Sequence, residues 1–460
     1  MIKESTYIGY WWFQENSENE FQGVLNFETN GDVVLNVLDE SKNVDFNQLF
    51  RSKKEIPTII GLAKDRVTNK EFSFKLIDAY VVSSSSSFNR LKSFSIKSYS
   101  VLKSQSNDFS SDLEFDVLIL KTDLLDDWLN IYGHKFSVNE GIPNFNLSYK
   151  QPDEITLFQS EDFSLKAYFS VSHSLIFSKK IDVEQSACLN LYFTAPKKLQ
   201  ELKPYIRMIR DFFSLAVGLP INITKTVFSK IVEGENKPDI NFELYQKSKY
   251  ESRIPTFLET KRMLITYNLI KDSPNEVFAN WFKKYDALKF LMNNYFGSLY
   301  NEFKYVEDKF LDFIFSIEVY HRAKFGGFDL KDESYLKIRD RVLSSVKDNS
   351  DKQWLEARLK KYTENTLQSR LRNILELNKE SLSGLIENNE LFLKKIVETR
   401  HYHVHSSIKN DEYIIKNAIE LSRINKKLEI TIQAILLSEL GFKQDVINKR
   451  LRKNSPFTFN

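Results

Sequence analysis

With 460 residues the chain is too long for one hydrophobic core, and two or three domains are expected. Apolar content of 42% beside 28% charged residues excludes a largely disordered chain. A net charge of +3 excludes polyanion binding through bulk charge, so any nucleic-acid footprint has to be local. The single cysteine, Cys188, excludes an intramolecular disulfide and a cysteine-based zinc cluster, which fits a reducing compartment. The opening residues MIKESTYIGYWWF lack the long apolar core and small-residue cleavage site of a signal peptide. No stretch approaches the roughly 18–20 apolar residues that span a bilayer, so a cytoplasmic protein without membrane contact is expected.

The first two hundred residues read as β. Phe72-Ser73-Phe74, Phe94-Ser95-Ile96 and the alternating Phe163, Leu165, Ala167, Phe169 and Val171 have the period of two of half-buried strands. Val33-Val34-Leu35 and Val117-Leu118-Ile119-Leu120 are short apolar runs suited to more buried strands, and Asn30-Gly31-Asp32 is a candidate hairpin turn. Trp11 and Trp12 are expected chiefly as buried strand aromatics, with base stacking as the alternative. The serine run Ser83–Ser87 is expected in a loop or at a strand edge.

From about residue 198 the period becomes helical. Leu202, Tyr205, Ile206, Ile209, Phe212, Phe213 and Ala216 fit one helix, ended by Gly218 and Pro220. After a mixed stretch, Asp272-Ser273-Pro274-Asn275-Glu276 is a helix start, with Ser273 as cap and Pro274 in the first turn. Helical spacing continues through Phe303, Val306, Phe310, Phe313, Ile314, Ile317 and Tyr320, and again through Leu421, Ile424, Leu428, Ile432 and Ile435, with Gly441 closing the latter helix. The expected fold is therefore α+β: a β-rich, sandwich or barrel-like domain over 1–197, a helical or mixed connector over 198–272, and an α-helical bundle over 273–460.

Three of the six histidines fall in Arg400-His401-Tyr402-His403-Val404-His405, behind the apolar helical run Phe392, Leu393, Ile396 and Val397. A permanently charged guanidinium beside imidazoles that titrate near neutrality suits phosphodiester chemistry. RNA cleavage without a metal needs a base for the 2′-hydroxyl, an acid for the leaving 5′-oxygen and a cation at the phosphorus; imidazole and arginine can fill these roles. On an ideal helix Arg400 and His405 lie about 140° apart, so they converge better where the helix bends or ends, or where a second copy faces the first across a two-fold axis. Two other readings stay open. The histidines can be structural, or His401 and His405, four residues apart on one helix face, can share a zinc ion, although the Glu of H-E-x-x-H is missing.

Two basic clusters could follow an RNA backbone: Lys449, Arg450, Arg452 and Lys453, with Lys443 upstream, and Arg358, Lys360, Lys361, Arg370 and Arg372. The second also reads as a solvated face laced with Glu356, Glu364 and Glu376. Glu318 is a candidate helper from a neighbouring helix, or a helix-pairing residue. There is no Walker loop, Rossmann fingerprint or G-x-S-x-G element.

Arg400 to His405 resembles the R-x4–6-H motif of HEPN domains, and the preceding Phe-Leu-Lys-Lys-Ile-Val-Glu-Thr (392–399) resembles the helix leading into it in ApeA-type proteins. Gly9-Tyr10-Trp11-Trp12, Gly23-Val24-Leu25 and Ile60-Gly61 look like the ApeA N-terminal domain. Leu215-Ala216-Val217-Gly218-Leu219-Pro220 and Ile317-Glu318-Val319-Tyr320-His321-Arg322 are similar to its connecting helix and an earlier bundle helix. The resemblance implies an anti-phage defence protein, dimeric through its HEPN domain, that cuts RNA without cofactor or metal and leaves 2′,3′-cyclic phosphate and 5′-hydroxyl ends. It also implies Arg400 as the phosphate-binding residue, His405 as the acid/base and His401 as an orienting or auxiliary group, with His403 at a variable position. His134, His173 and His321 stay outside the site. The β-rich half would sense a phage-derived trigger or restrain the nuclease. The alternative is a HEPN module that binds RNA, nucleotide or a protein without catalysis.

Overall fold

The computed structural model describes residues 4–454 apart from 40–55, 88–90, 108, 110–112, 139–144, 174–181, 233, 235–238, 248–253, 327–332, 361–364, 387–389 and 407–410. Its contacts divide the chain into two units: residues 1–217, 221–260 and 266–275 form the first, and 218–220, 261–265 and 276–460 the second.

The first unit is built on antiparallel strands. β1 (Ser5–Phe13), β2 (Asn16–Phe27), β3 (Val33–Asp39), β4 (Ile59–Asp65), β5 (Glu71–Ser87) and β6 (Leu91–Ser104) pair in the ring β6-β3-β2-β1-β4-β5, which the β5–β6 ladder closes into a barrel. Closure removes the unpaired edges an open sheet would present. Inward positions Trp11, Leu25, Phe27, Leu35, Phe74, Leu76, Ile96 and Val101 fill the interior. Of the two adjacent tryptophans, Trp11 is fully buried, with its indole N–H donating to the Gly23 carbonyl at 3.1 Å, while Trp12 is half-buried on the other face of β1. The glycines around it have a packing reason, since a Cβ on Gly61 would stand 2.1 Å from the Trp11 ring. Gly31, at φ 83°, makes the expected β2–β3 turn. The serine run Ser83–Ser87 is the end of β5, paired with Ser95 to Leu91 of β6.

A second, open sheet follows. Its strands are β7 (Glu114–Thr122), β10 (Ile155–Gln159), β11 (Phe163–His173), β12 (Val183–Lys198), β13 (Ile223–Lys230) and β14 (Ile240–Gln246), in the order β10-β11-β12-β7-β13-β14. Between β7 and β10 lie a short helix, α1 (Leu125–Leu129), and a separate hairpin of β8 (His134–Val138) and β9 (Phe145–Tyr149). β6 joins the two sheets: one flank pairs with β5 throughout, while the other pairs with β3 over residues 92–98 and with β14 over residues 100–104. Residues 198–272, expected as a connector, thus contribute two strands to this sheet, β13 beside β7 and β14 at the flank that meets β6. They also contribute helix α2 (Leu199–Val217), whose apolar face packs on β7 and β12 and which ends at Gly218 with φ 80°. The period of α2 is local to its own sequence, whereas β13 and β14, which pair with each other, gain their outer partners from β7 and β6 far away in sequence.

Beyond α3 (Tyr267–Ile270) and α4 (Pro274–Lys284), which starts at the expected proline, the second unit is helical: α5 (Lys289–Tyr300), α6 (Val306–Phe325), α7 (Glu333–Ser345), α8 (Asn349–Lys360), α9 (Leu367–Leu377), α10 (Lys379–Leu382), α11 (Glu390–His405), α12 (Ala418–Glu439) and α13 (Gln444–Asn454). α6 and α12 form its centre, burying Phe310, Phe313, Ile314, Ile317 and Tyr320 from one and Leu421, Ile424, Leu428, Ile432 and Ile435 from the other. Phe303, which fits the spacing of α6, lies before its first turn and is exposed. Gly441 closes α12 at φ 98°. Glu439, at the end of α12, is held by Lys284 of α4 and by Tyr320 and Lys324 of α6.

Candidate active site on the second unit

α11 carries the Arg-His motif because its apolar face, Phe392, Leu393 and Ile396, is buried in the bundle, and Thr399 is buried beside it. The Thr399 hydroxyl accepts the backbone N–H of Ile415 at 3.0 Å, which ties the helix to the chain entering α12. The helix runs unbroken through Arg400 and His405 and ends immediately after the latter. Ser406 adopts a left-handed φ of 51° and donates its N–H to the Tyr402 carbonyl at 2.9 Å.

The side chains divide by face. Arg400 is partly exposed, and its Nη2 lies 4.0 Å from Oε2 of Glu318 on α6; the other carboxylate oxygen is 3.5 Å from Nη2 of Arg322. His401 and His405 share a face, with ring centroids 6.2 Å apart; His401 is half-buried and His405 exposed. His403 turns toward the bundle, 6.3 Å from Phe310 and edge-on to Tyr402 at 5.2 Å, and its Nε2 is buried without a hydrogen-bond partner. An imidazole in that position packs, and it presents no nitrogen to solvent on that side. Among the described residues no group of three His, Cys, Asp or Glu side chains is arranged to hold a metal ion.

The remaining histidines lie elsewhere. His321 is buried on α6, its Nδ1 3.4 Å from Nη1 of the buried Arg370; burial first and the guanidinium second lower its pKa, against a hydrogen bond with Asn373. His134 is on β8 and His173 at the end of β11, both in the first unit.

The basic clusters divide similarly. On α13, Lys449, Arg452 and Lys453 are exposed, but the Arg452 guanidinium donates to the Ser383 carbonyl at 2.6 Å and to Asn448 at 2.9 Å. Arg450 turns inward, with Nε on the Leu264 carbonyl at 3.0 Å and Nη2 buried without a partner; burial lowers its pKa. In the other cluster Arg370 is interior, Arg372 is paired with Glu390 at 2.8 Å, and Arg358 sits over the Trp354 ring at 5.4 Å. Lys361 and Glu364 lie outside the described residues. The link from Glu318 to Arg400 is the feature sequence reasoning left undecided. Its only signal was Glu318 and Arg322 standing four residues apart on one helix.

Residues 6–281 match the family ApeA N-terminal domain 1, which takes in the barrel and the open sheet. The chain belongs to the ApeA family. Residues 311–446 match a second family, Apea-like HEPN, and this stretch includes Glu318 on α6 and the motif on α11. The family thus joins anti-phage defence to a HEPN nuclease domain, and HEPN domains are generally ribonucleases. Neither the comparison with curated proteins nor the comparison with solved structures returned a match. Among the described residues of this ApeA-type chain, no helix is long and apolar enough to cross a membrane.

Proposed function

We propose that this ApeA-type chain is a cytoplasmic anti-phage endoribonuclease whose HEPN domain cuts RNA without a metal ion, after the first unit senses infection. The observation that carries the reading is that α11 presents both a partly exposed guanidinium, Arg400, and an exposed imidazole, His405, in its last turns. The Arg400 N–H groups bind the non-bridging oxygens of the scissile phosphate and offset the charge that builds on them. One imidazole takes the 2′-hydroxyl proton as the 2′-oxygen attacks phosphorus, the bond to the 5′-oxygen breaks, and the departing oxygen takes a proton from a second, protonated imidazole. The products are a 2′,3′-cyclic phosphate and a 5′-hydroxyl. His405 is the acid/base of this scheme and His401, on the same face, its auxiliary.

One copy of α11 has few groups for two proton transfers, and Arg400 and His405 diverge around it by about 140°. A homodimer placing two motifs across one groove supplies the second imidazole. Within the motif itself Val404 is 46% exposed, an apolar side chain that such a partner would cover. Lys449 and Lys453 on α13 add positive charge for an RNA backbone.

The test is purified protein incubated with total RNA in EDTA, followed by mapping of the cut ends beside the His405→Ala variant. Cyclic-phosphate ends made by wild type and lost in the variant are the expected result. Cleavage retained by His405→Ala, or RNA binding with no cleavage, returns the chain to the non-catalytic binding module.

A further inference from the structure

Glu318 is an acidic side chain set beside the group assigned to hold an anion. Its side chain is 18% exposed, and its carboxylate lies between two guanidiniums, 3.5 Å from that of Arg322 on its own helix and 4.0 Å from that of Arg400 across the α6–α11 pair. Arg322 is 54% exposed and the Arg400 contact is as long as 4.0 Å, so neither ion pair adds much to stability and helix pairing alone is a weak reason for the arrangement. A carboxylate there also repels an incoming phosphodiester, and so works against ground-state binding of RNA.

We infer that Glu318 is a positioning residue for Arg400: resting on the proposed ribonuclease reading, it holds the guanidinium in the orientation that meets the phosphate in the transition state. Arginine has a long side chain with many rotamers, and a group left to wander spends little time where the reaction needs it. At 4.0 Å the contact is Coulombic rather than a direct hydrogen bond, so it biases the direction of the side chain without using the Nη2 protons. Arg322 takes the other carboxylate oxygen and fixes the carboxylate in turn. The Arg400 guanidinium, which stays charged at any working pH, remains available to the phosphate.

The role predicts opposite changes in binding and in turnover. In full-length protein, Glu318→Gln keeps the shape and removes the charge. It should bind a cleavage-blocked, 2′-O-methylated RNA as tightly as wild type or more tightly, yet cleave the unmodified RNA about tenfold to a hundredfold more slowly. Because the effect passes through Arg400, adding Glu318→Gln to Arg400→Lys should cost nothing further. Should the glutamine variant lose thermal stability, Glu318→Asp serves instead. It keeps the charge, and turnover above that of the glutamine variant supports the role while an equal loss overturns it. Wild-type turnover in Glu318→Gln when Arg400→Lys is impaired overturns it too, as do losses that multiply in the double variant. RNA left intact by wild-type protein overturns the ribonuclease reading itself, and this role with it.

Discussion

Arg370 and His321 meet in the interior of the helical unit, Nη1 to Nδ1 at 3.4 Å, with Arg370 1% exposed and its Nε on the Asn365 carbonyl. A guanidinium that cannot lose its charge therefore stands against an imidazole whose protonation it opposes.

That pair sets a pH dependence. The pKa of His321 is lowered from 6.5 by burial and by Arg370. The unfolded state takes up a proton more readily, so stability is full above pH 6.5 and falls as pH drops toward the lower folded value. Urea unfolding between pH 7.5 and 5 should show this decline. His321→Asn should flatten it, and an unchanged slope in that variant assigns the decline to other groups.

A second window lies at lower pH. Burial alone would raise the pKa of Glu439, but hydrogen bonds from Lys324, Tyr320 and Lys284 hold it at about 2. Since its ordinary value is 4.5, the contribution is present above pH 4.5 and fades as pH falls toward 2. Glu439→Gln should cost about 2–3 kcal/mol at pH 7 and markedly less at pH 3, measured by denaturant unfolding at each pH.

In the barrel, Gly61→Ala should be destabilising by about 1–3 kcal/mol, because the added methyl falls inside the Trp11 ring envelope and β1 or β4 has to move. Tryptophan fluorescence and chemical denaturation read both the displacement and its cost. A neutral result would mean that the barrel relaxes around residue 61.

At the motif, the three histidines should part company. His405→Ala should reduce RNA cleavage by at least about a hundredfold and leave thermal stability near wild type, whereas His403→Phe should keep cleavage. The latter fills a site already lined by Phe310 and removes an imidazole nitrogen left buried without a partner. Cleavage should also persist in EDTA. A requirement for added divalent metal would redirect attention to His401 and His405 as ligands.

On α13 the exposed lysines should matter more than the arginines already occupied. Lys449→Ala with Lys453→Ala should lower the slope of log affinity against log salt by about 1.4 for single-stranded RNA. Arg450→Ala should instead show as lost stability, since that side chain holds the Leu264 carbonyl.

Much of the second unit was legible in sequence because its signal is local. The buried stripe of α12 is its own repeat of Leu421, Ile424, Leu428, Ile432 and Ile435, and Gly441 and Pro274 mark helix ends with backbone constraints peculiar to those residues. The strands at 223–230 and 240–246 were not legible. They pair with each other, but their outer partners, Thr122 to Val117 and Ser104 to Ser100, lie more than a hundred residues away, and nothing in Thr224 to Lys230 alone declares an inner strand. At the motif, residue type and spacing single out Arg400 and His405 as candidates, while the inward turn of His403 is not legible: it depends on Phe310, which belongs to another helix. The same holds for Arg450 and Arg452, whose charge pattern suggested a surface and whose donors are engaged with backbone carbonyls.

The double membership of β6 has a bearing on how the gene could be cut. A fragment ending at Ser104 would contain all six staves of the barrel, yet the last five residues of its final stave would have lost β14 and would offer bare amides and carbonyls to any passing chain. Such a fragment should self-associate through that raw border, and a clean excision has to run on past Gln246.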